Sequence, residues 1–184
     1  MKYEVELEGV GTIGFGRRYR TEASGNKAIA KRNEECWKER MWIDEKTDEV
    51  IFNPLGLKNC LATAARKKQM KVPGGGMTKF GGVFKSGIHV FEPLRFGVKS
   101  NKVRKEVLDL PVPNSNDNRQ PTLFPVLDKW TAKTTIEVID ENITEDILRI
   151  YLEHAGNVVG LGALRVENGG IWGRFTVKSL KKVK

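Results

Sequence analysis

Histidine and cysteine are the side chains that most often act as general bases, nucleophiles and metal ligands, and this chain has few of them. Its 184 residues include two histidines, His89 and His154, and two cysteines, Cys36 and Cys60. The cysteines lie outside any CxxC pair, which predicts reduced thiols in a cytoplasmic protein rather than a zinc site or a disulfide. His154 falls near the end of a predicted helix, a position that suits a helix-terminal cation better than a general base. We therefore predict no catalytic residue, no metal and no cofactor.

Lysine and arginine supply the other chemistry of the chain. The 32 Lys+Arg outnumber the 23 Asp+Glu and give a net charge of +9. Residues 56–105 contain twelve cations and one acidic residue, Glu92, so this stretch carries +11 and the remainder of the chain −2. Such a concentration of charge predicts a polyanion site, and the alternative is a solvated basic surface that keeps the protein soluble.

The length and composition fit one globular domain. The hydrophobic share of 39% and the charged share of 30% exclude simple disorder. No apolar run approaches the roughly 20 residues of a membrane span, and the first residues do not begin a signal peptide. We expect a single domain over residues 1–184 and no membrane partner.

The pattern of apolar residues indicates the elements that must position these side chains. Tyr3, Val5 and Leu7 alternate with glutamates and predict a first strand. The predicted elements after it are a helix over Asn26–Met41, a hairpin over Ile43–Asn53, a helix from Leu55 to about Lys68, a strand over Val107–Pro113, a strand over Thr134–Ile139, a helix capped by Thr144 and stopped by Gly156, and a strand over Trp172–Leu180. This order predicts an α+β fold, a ferredoxin-like or RRM-like antiparallel sheet with two main helices.

Residues from about 70 to 105 do not fit that core pattern. They combine Gly74–Gly76, Gly81 and Gly82 with several phenylalanines and lysines. We expect a basic, thumb-like insertion there, a protruding hairpin or loop. Phe80, Phe84 and Phe91 would either stack on bases or pack the insertion onto the main domain.

A glycine-rich segment near the C-terminus, residues 160–173, is the second feature that suggests nucleic-acid binding. Glycines expose backbone N–H groups and allow a sugar-phosphate chain to lie close, while Arg165 and Arg174 offer charged contacts to phosphate. Trp172 alternates with Ile171 and Gly173, which favours a core position over base stacking. The candidate nucleic-acid contacts are Arg17, Arg18, Arg20, Lys58, Arg66, Lys67, Lys68, Lys79, Lys85, Gly160, Gly162, Arg165 and Arg174.

Two segments resemble motifs of the RAMP superfamily, RRM-fold proteins that form CRISPR effector backbones and process guide RNA. The first, residues 54–66, keeps Leu57, Lys58, Leu61 and Arg66 of the family's loop-and-helix motif but lacks its serine pair. The second, residues 160–175, matches the family's glycine-rich loop at Gly160, Gly162, Gly173 and Arg174.

The resemblance implies a partner of RNA or single-stranded DNA, bound without sequence specificity, with self-association along the strand or contact with other effector subunits. It is compatible with a stand-alone, phage-borne relative. Some members cut RNA with an aspartate after the first strand, and residues 21–40 contain none. Two alternatives remain: a metal-independent endoribonuclease of the guide-processing type, and an assembly or inhibitor protein that mimics an effector subunit.

Overall fold

The structure is a computed structural model that describes residues 1–17, 36–111 and 118–183. The helix expected over Asn26–Met41 therefore falls largely outside the described residues. Its last turn is described and forms a short 3-10 helix, Trp37–Arg40.

Ten strands and three α-helices make up the described part of the chain. The strands are β1 (Lys2–Val10), β2 (Ile13–Gly14), β3 (Trp42–Asp44), β4 (Glu49–Phe52), β5 (Ile88–Val90), β6 (Leu94–Lys99), β7 (Arg104–Pro111), β8 (Arg119–Leu127), β9 (Thr131–Val138) and β10 (Arg174–Val183). The helices are α1 (Pro54–Lys68), α2 (Phe80–Ser86) and α3 (Glu145–Val158). Seven strands form the main sheet in the order β10-β1-β9-β6-β4-β3, with β5 beside β9, and the named strand pairs are antiparallel. The α+β class with an antiparallel sheet and two main helices is confirmed.

The strand β1, which lies between β10 and β9, shows why the sequence folds this way. Tyr3, Val5 and Leu7 are buried, while the glutamates between them point to the other face of the sheet. Val5 is paired with Leu180 on β10 and with Thr134 on β9. The two ends of the chain thus lie next to each other in the sheet.

The helices α1 and α3 begin and are buried as their sequences predict. Asn53 caps α1 by accepting a hydrogen bond from the Leu55 amide, and Thr144 caps α3 by accepting one from the Ile147 amide. Their apolar faces pack together in the main core. The predicted stop at Gly156 is wrong, because α3 continues to Val158. A Cβ at Gly156 would lie 1.9 Å from the Phe175 carbonyl oxygen, so this glycine allows β10 to approach the helix.

Within the segment expected to be an insertion, residues 80–99 are part of the main domain. Residues 80–86 form α2, and β5 and β6 belong to the main sheet. Phe80 and Phe84, one helical turn apart, are fully buried against Tyr151, with ring centroids 5.6 Å and 4.5 Å from it. Their four-residue spacing gives α2 an apolar face that packs into the core, so the segment does not protrude.

A second, three-stranded sheet contains β2, β8 and β7. The strands β7 and β8 pair from Arg104 opposite Val126 to Pro111 opposite Arg119, and form a ribbon with one largely exposed strand. At its base, Phe124, Val126 and Trp172 form a small separate core. The expected core position of Trp172 is confirmed, since its ring lies 5.7 Å from that of Phe124 and is 8% exposed.

Within the described ranges, no helix has the length and apolar character needed to cross a lipid bilayer.

Candidate nucleic-acid interface

The cations of the middle of the chain lie on its helical layer. Residues 50–91 contain seven cations and no acidic residue. These cations lie on α1, on α2 and on the hairpin between the two helices. Lys58 is half-buried, and the other six are exposed. We call these six the basic face: Arg66, Lys67, Lys68, Lys71, Lys79 and Lys85.

A groove between α1 and α2 brings three of the predicted contact residues together. Arg66 lines it from α1 and Lys85 from α2, while Lys79 stands at its end. The groove has a volume of about 300 Å³ beside Asn59 and Thr63. Gly81 allows the helices to approach, because a Cβ there would lie 3.3 Å from the Arg66 Cα.

Neutral polar groups hold two of these cations in place. Arg66 Nη2 donates a hydrogen bond to Thr63 Oγ1 at 3.2 Å, and Lys79 Nζ donates one to Gln69 Oε1 at 2.9 Å. Among the described residues, Arg66, Lys79 and Lys85 have no acidic ion-pair partner. Their charge is therefore available to an anion in the groove.

Other cations of the basic stretch are neutralised on the sheets. Arg95 pairs with Asp44 at 2.8 Å and with Glu49 at 3.0 Å, and its hydrogen bond lowers the pKa of the Asp44 carboxyl. Arg104 pairs with Asp128 and Glu106. Within the described residues, the charge that looks continuous in sequence thus divides into two parts: a helical part in which only Lys67 has an acidic partner, and a sheet part in which Arg95 and Arg104 are paired.

The glycine loop, residues 160–173, packs against residues 12–14, in the glycine-rich segment that follows β1. Ala163 donates its amide hydrogen to the Gly14 carbonyl at 2.7 Å, and Gly173 donates to the Thr12 carbonyl at 2.8 Å. Gly162 has φ of +80°, and a Cβ there would lie 2.2 Å from the Gly14 oxygen.

These contacts indicate a packing role for the glycines of the loop. Gly160 is buried and Gly162 is half-buried, and the amides of residues 161, 163 and 173 bond the protein's own carbonyls. The expectation that this loop exposes its N–H groups to phosphate is wrong at those three positions. Gly160 and Gly162 allow two backbone segments to approach closely, and their contact with nucleic acid stays a prediction.

Glu167 joins the loop to the end of α1. Its carboxylate lies 3.6 Å from Lys67 Nζ and 2.9 Å from Arg165 Nη2. Lys68 is exposed beside this cluster, and the charges of Lys68 and Lys67 act on His154. Two predicted contacts, Lys67 and Arg165, are thus partly neutralised by one acid that sequence reasoning did not single out.

The remaining predicted contacts lie at the edges of this region. Arg174 is exposed at the start of β10 and donates to the Asn157 side chain at 3.3 Å. Arg17 is exposed, and its amide donates to the Arg40 carbonyl at 2.8 Å. Lys58 lies two turns before Arg66 on α1, roughly 12 Å along the helix axis. Arg18 and Arg20 lie outside the described residues.

His154 and Cys60 are poorly placed for proton transfer. His154 Nε2 is buried with no hydrogen-bond partner in the described part of the chain, and burial lowers the pKa of the imidazole. Burial raises the pKa of the Cys60 thiol to about 12. The described residues contain no group of three His, Cys, Asp or Glu side chains that could hold a metal ion.

Sequence reasoning missed several polar side chains that line the groove. Asn59, Thr63 and Gln69 stand beside the predicted cations. The spacing of Asn59, Thr63 and Arg66, by four and then three residues, places them on one helix face and could have indicated this role.

No family model and no curated protein matches the sequence. Among solved structures, the chain is similar to one in the "Cryo-EM structure of the Type III-B Cmr-beta bound to cognate target RNA", with a TM-score of 0.60 and 15% identity over 100% of this chain. It spans 60% of the length of that chain. It is also similar to Cmr6 from Pyrococcus furiosus, with a TM-score of 0.50 and 10% identity over 96% of this chain and 98% of that one.

Both matched proteins are RAMP-type subunits of type III-B CRISPR effectors. At sequence identities of 15% and 10%, the similarity of the structures shows a common fold. The expectation drawn from the two motifs is therefore confirmed at the level of the fold, which this chain shares with these subunits.

Proposed function

We propose that this protein binds the sugar-phosphate backbone of RNA, or of another single-stranded nucleic acid, through the basic face. The observation that carries the proposal is the convergence of Arg66, Lys79 and Lys85 on the groove between α1 and α2, in a segment without acidic residues. Unpaired cations around a concave surface attract phosphate and release its counterions on binding.

The chemistry of the groove favours binding without sequence specificity. Its side chains are cations, amides and hydroxyls, and these suit phosphate and ribose oxygens. Phe80 and Phe84, the aromatic residues of α2, are buried in the core and cannot stack on bases from this groove. The strand is therefore held by its backbone.

The other predicted contacts extend this path across the surface. Lys58 continues it along α1, and Lys67, Lys68, Arg165 and Arg174 continue it toward the glycine loop. Arg17 is the predicted contact from the segment after β2. The solved relative bound to target RNA supports RNA as the ligand, and we propose that other copies or effector subunits bind the same strand.

A charge-matched pair of variants tests the proposal. We expect Arg66→Gln, Lys79→Gln and Lys85→Gln together to weaken binding of a labelled single-stranded RNA by on the order of tenfold or more at low salt, because three phosphate contacts are lost. The control replaces Lys46, Lys102 and Lys129 with Gln, three exposed cations in the turns that precede β4, β7 and β9. It removes the same charge, and we expect binding within about twofold of the unmodified protein.

Fluorescence anisotropy titrations measure both effects. Equal losses in the two variants would show that only net charge matters and would contradict a defined site. No binding by the unmodified protein would remove the proposal and favour an acidic protein partner for the basic face, as in the assembly alternative.

A further inference from the structure

We propose that His89 and Phe91 form a stacking platform for one unpaired nucleobase, on the face of the main sheet opposite the core helices. The identity of the ligand rests on the proposed function, while the site itself lies apart from the basic face.

The two rings already stack on each other. Their centroids are 5.4 Å apart and their planes differ by 7°. Phe91 is 70% exposed although its ring is large and apolar. An aromatic ring with one face covered and the other open to solvent can extend its stack with a base.

The register of β5 fixes the side of the sheet. Ile88 and Val90 are buried in the core, so His89 between them points to the opposite face. There it is paired in register with Glu137 on β9, which in turn is paired with Lys2 on β1. The platform therefore stands on the open face of the sheet.

The chain holds Phe91 at a fixed turn. The strands β5 and β6 both pair with β9 and are separated by residues 91–93. The Glu92 carbonyl accepts a hydrogen bond from Thr134 Oγ1 at 3.0 Å, and its carboxylate accepts one from Thr135 Oγ1 at 3.1 Å. The exposure of Phe91 thus comes from an anchored backbone, a preorganised arrangement that lowers the cost of binding.

A groove of about 320 Å³ begins at the next residues, Glu92 and Pro93. Its volume is within the range of small-ligand sites. It contains hydrogen-bond donors on Arg95, Lys133 and Lys181 and acceptors on Glu4 and Glu6. The carboxylates would repel a phosphate chain there, while the mixture of hydrogen-bond donors and acceptors suits the edge of a base.

A pair of substitutions at Phe91 tests the platform. We expect Phe91→Leu to weaken binding of a mixed-sequence single-stranded RNA by about tenfold, since stacking of one base is lost. We expect Phe91→Trp to bind as tightly as the unmodified protein or more tightly. Because the side chain is exposed, neither change should disturb folding, which circular dichroism would check.

A strand of abasic sugar-phosphate units separates base stacking from backbone binding. We expect Phe91→Leu to bind this strand as the unmodified protein does, with an unchanged salt dependence on both strands. Adenosine monophosphate, titrated alone, distinguishes a free nucleotide from a base within a strand. A Phe91-dependent affinity for it would assign the platform to free nucleotides as well.

The outcomes distinguish this inference from the proposed function. Equal binding of base-containing RNA by Phe91→Leu and the unmodified protein would overturn the platform and leave the basic face intact. Binding of the abasic strand by the variant of Arg66, Lys79 and Lys85 tests the basic face alone, and we expect it to be weaker than binding by the unmodified protein. An equal loss for Phe91→Leu on both strands would also overturn base stacking.

Discussion

Gly156 and Gly82 both lie within helices, but their surroundings differ. A Cβ at Gly156 would approach the Phe175 carbonyl oxygen at 1.9 Å, whereas a Cβ at Gly82 would have no neighbour within 4 Å. Alanine is intrinsically better than glycine inside a helix by about 1 kcal/mol. The two positions therefore separate helix propensity from packing.

We expect Gly156→Ala to lower the free energy of unfolding by about 1–3 kcal/mol, because β10 must move away from α3. We expect Gly82→Ala to raise it by up to about 1 kcal/mol. Urea denaturation followed by circular dichroism measures both changes. A stabilised Gly156→Ala protein would show that the approach of β10 to α3 is not needed.

His154 gives the stability of the protein a dependence on pH. Burial, with the charges of Lys68 and Lys67, lowers the pKa of its imidazole below the ordinary value of 6.5. As the pH falls below that value, the unfolded chain binds a proton before the folded protein does. The free energy of unfolding therefore decreases as the pH falls through this range.

We expect His154→Gln to reduce this decrease. The measurement compares the free energy of unfolding of the variant and the unmodified protein at pH about 7.5 and about 5.5. An identical pH dependence in the two proteins would show that His154 titrates alike in the folded and unfolded states.

At the scale of elements, the end of α1 and the glycine loop share one acidic residue. Glu167 contacts both Lys67 and Arg165 and competes with phosphate for them. If these two cations contribute to nucleic-acid binding, removing the acid makes them available.

We expect Glu167→Gln to tighten single-stranded RNA binding several-fold and to make the slope of log affinity against log salt more negative by about 0.7 for each cation released. The matched control is Glu141→Gln. It removes an exposed charge from the turn that precedes α3, whereas the glycine loop follows the other end of that helix. An equal effect of the two substitutions would show that Glu167 acts only through net charge.

Local sequence signals predicted the elements whose stability is decided locally. Pro54, just before the helix predicted from Leu55, and Thr144 indicate the starts of α1 and α3, and the alternation of Tyr3, Val5 and Leu7 indicates β1. The structure confirms these elements. In each of these elements, the residue at the helix start or the period of the apolar residues is itself the physical cause of the helix or strand.

Non-local packing explains what the sequence did not predict. The glycines and lysines around α2 are typical of a loop, yet Phe80 and Phe84 pack on Tyr151, about seventy residues later in the chain. The glycine loop likewise depends on Gly14, from the other end of the chain. The site was predicted as a set of cations, but the convergence of Arg66, Lys79 and Lys85 depends on this packing of α2.

At the scale of the whole molecule, charge differs between the two sides of the main sheet. The helical side carries the basic face, in a segment without acidic residues. On the open face, cations and acids alternate and pair, as Lys178 and Lys133 do with Glu6. A nucleic-acid backbone is therefore expected on the helical side, with a single base on the open face.

The salt dependence of binding tests this account most directly. Six phosphate contacts on the basic face predict a slope of log affinity against log salt near −4 for single strands, from about 0.7 for each contact. We expect a slope near −2 for the variant of Arg66, Lys79 and Lys85, and an unchanged slope for the control variant of Lys46, Lys102 and Lys129. Equal slopes for the first variant and the unmodified protein would contradict the assignment of the backbone to the basic face.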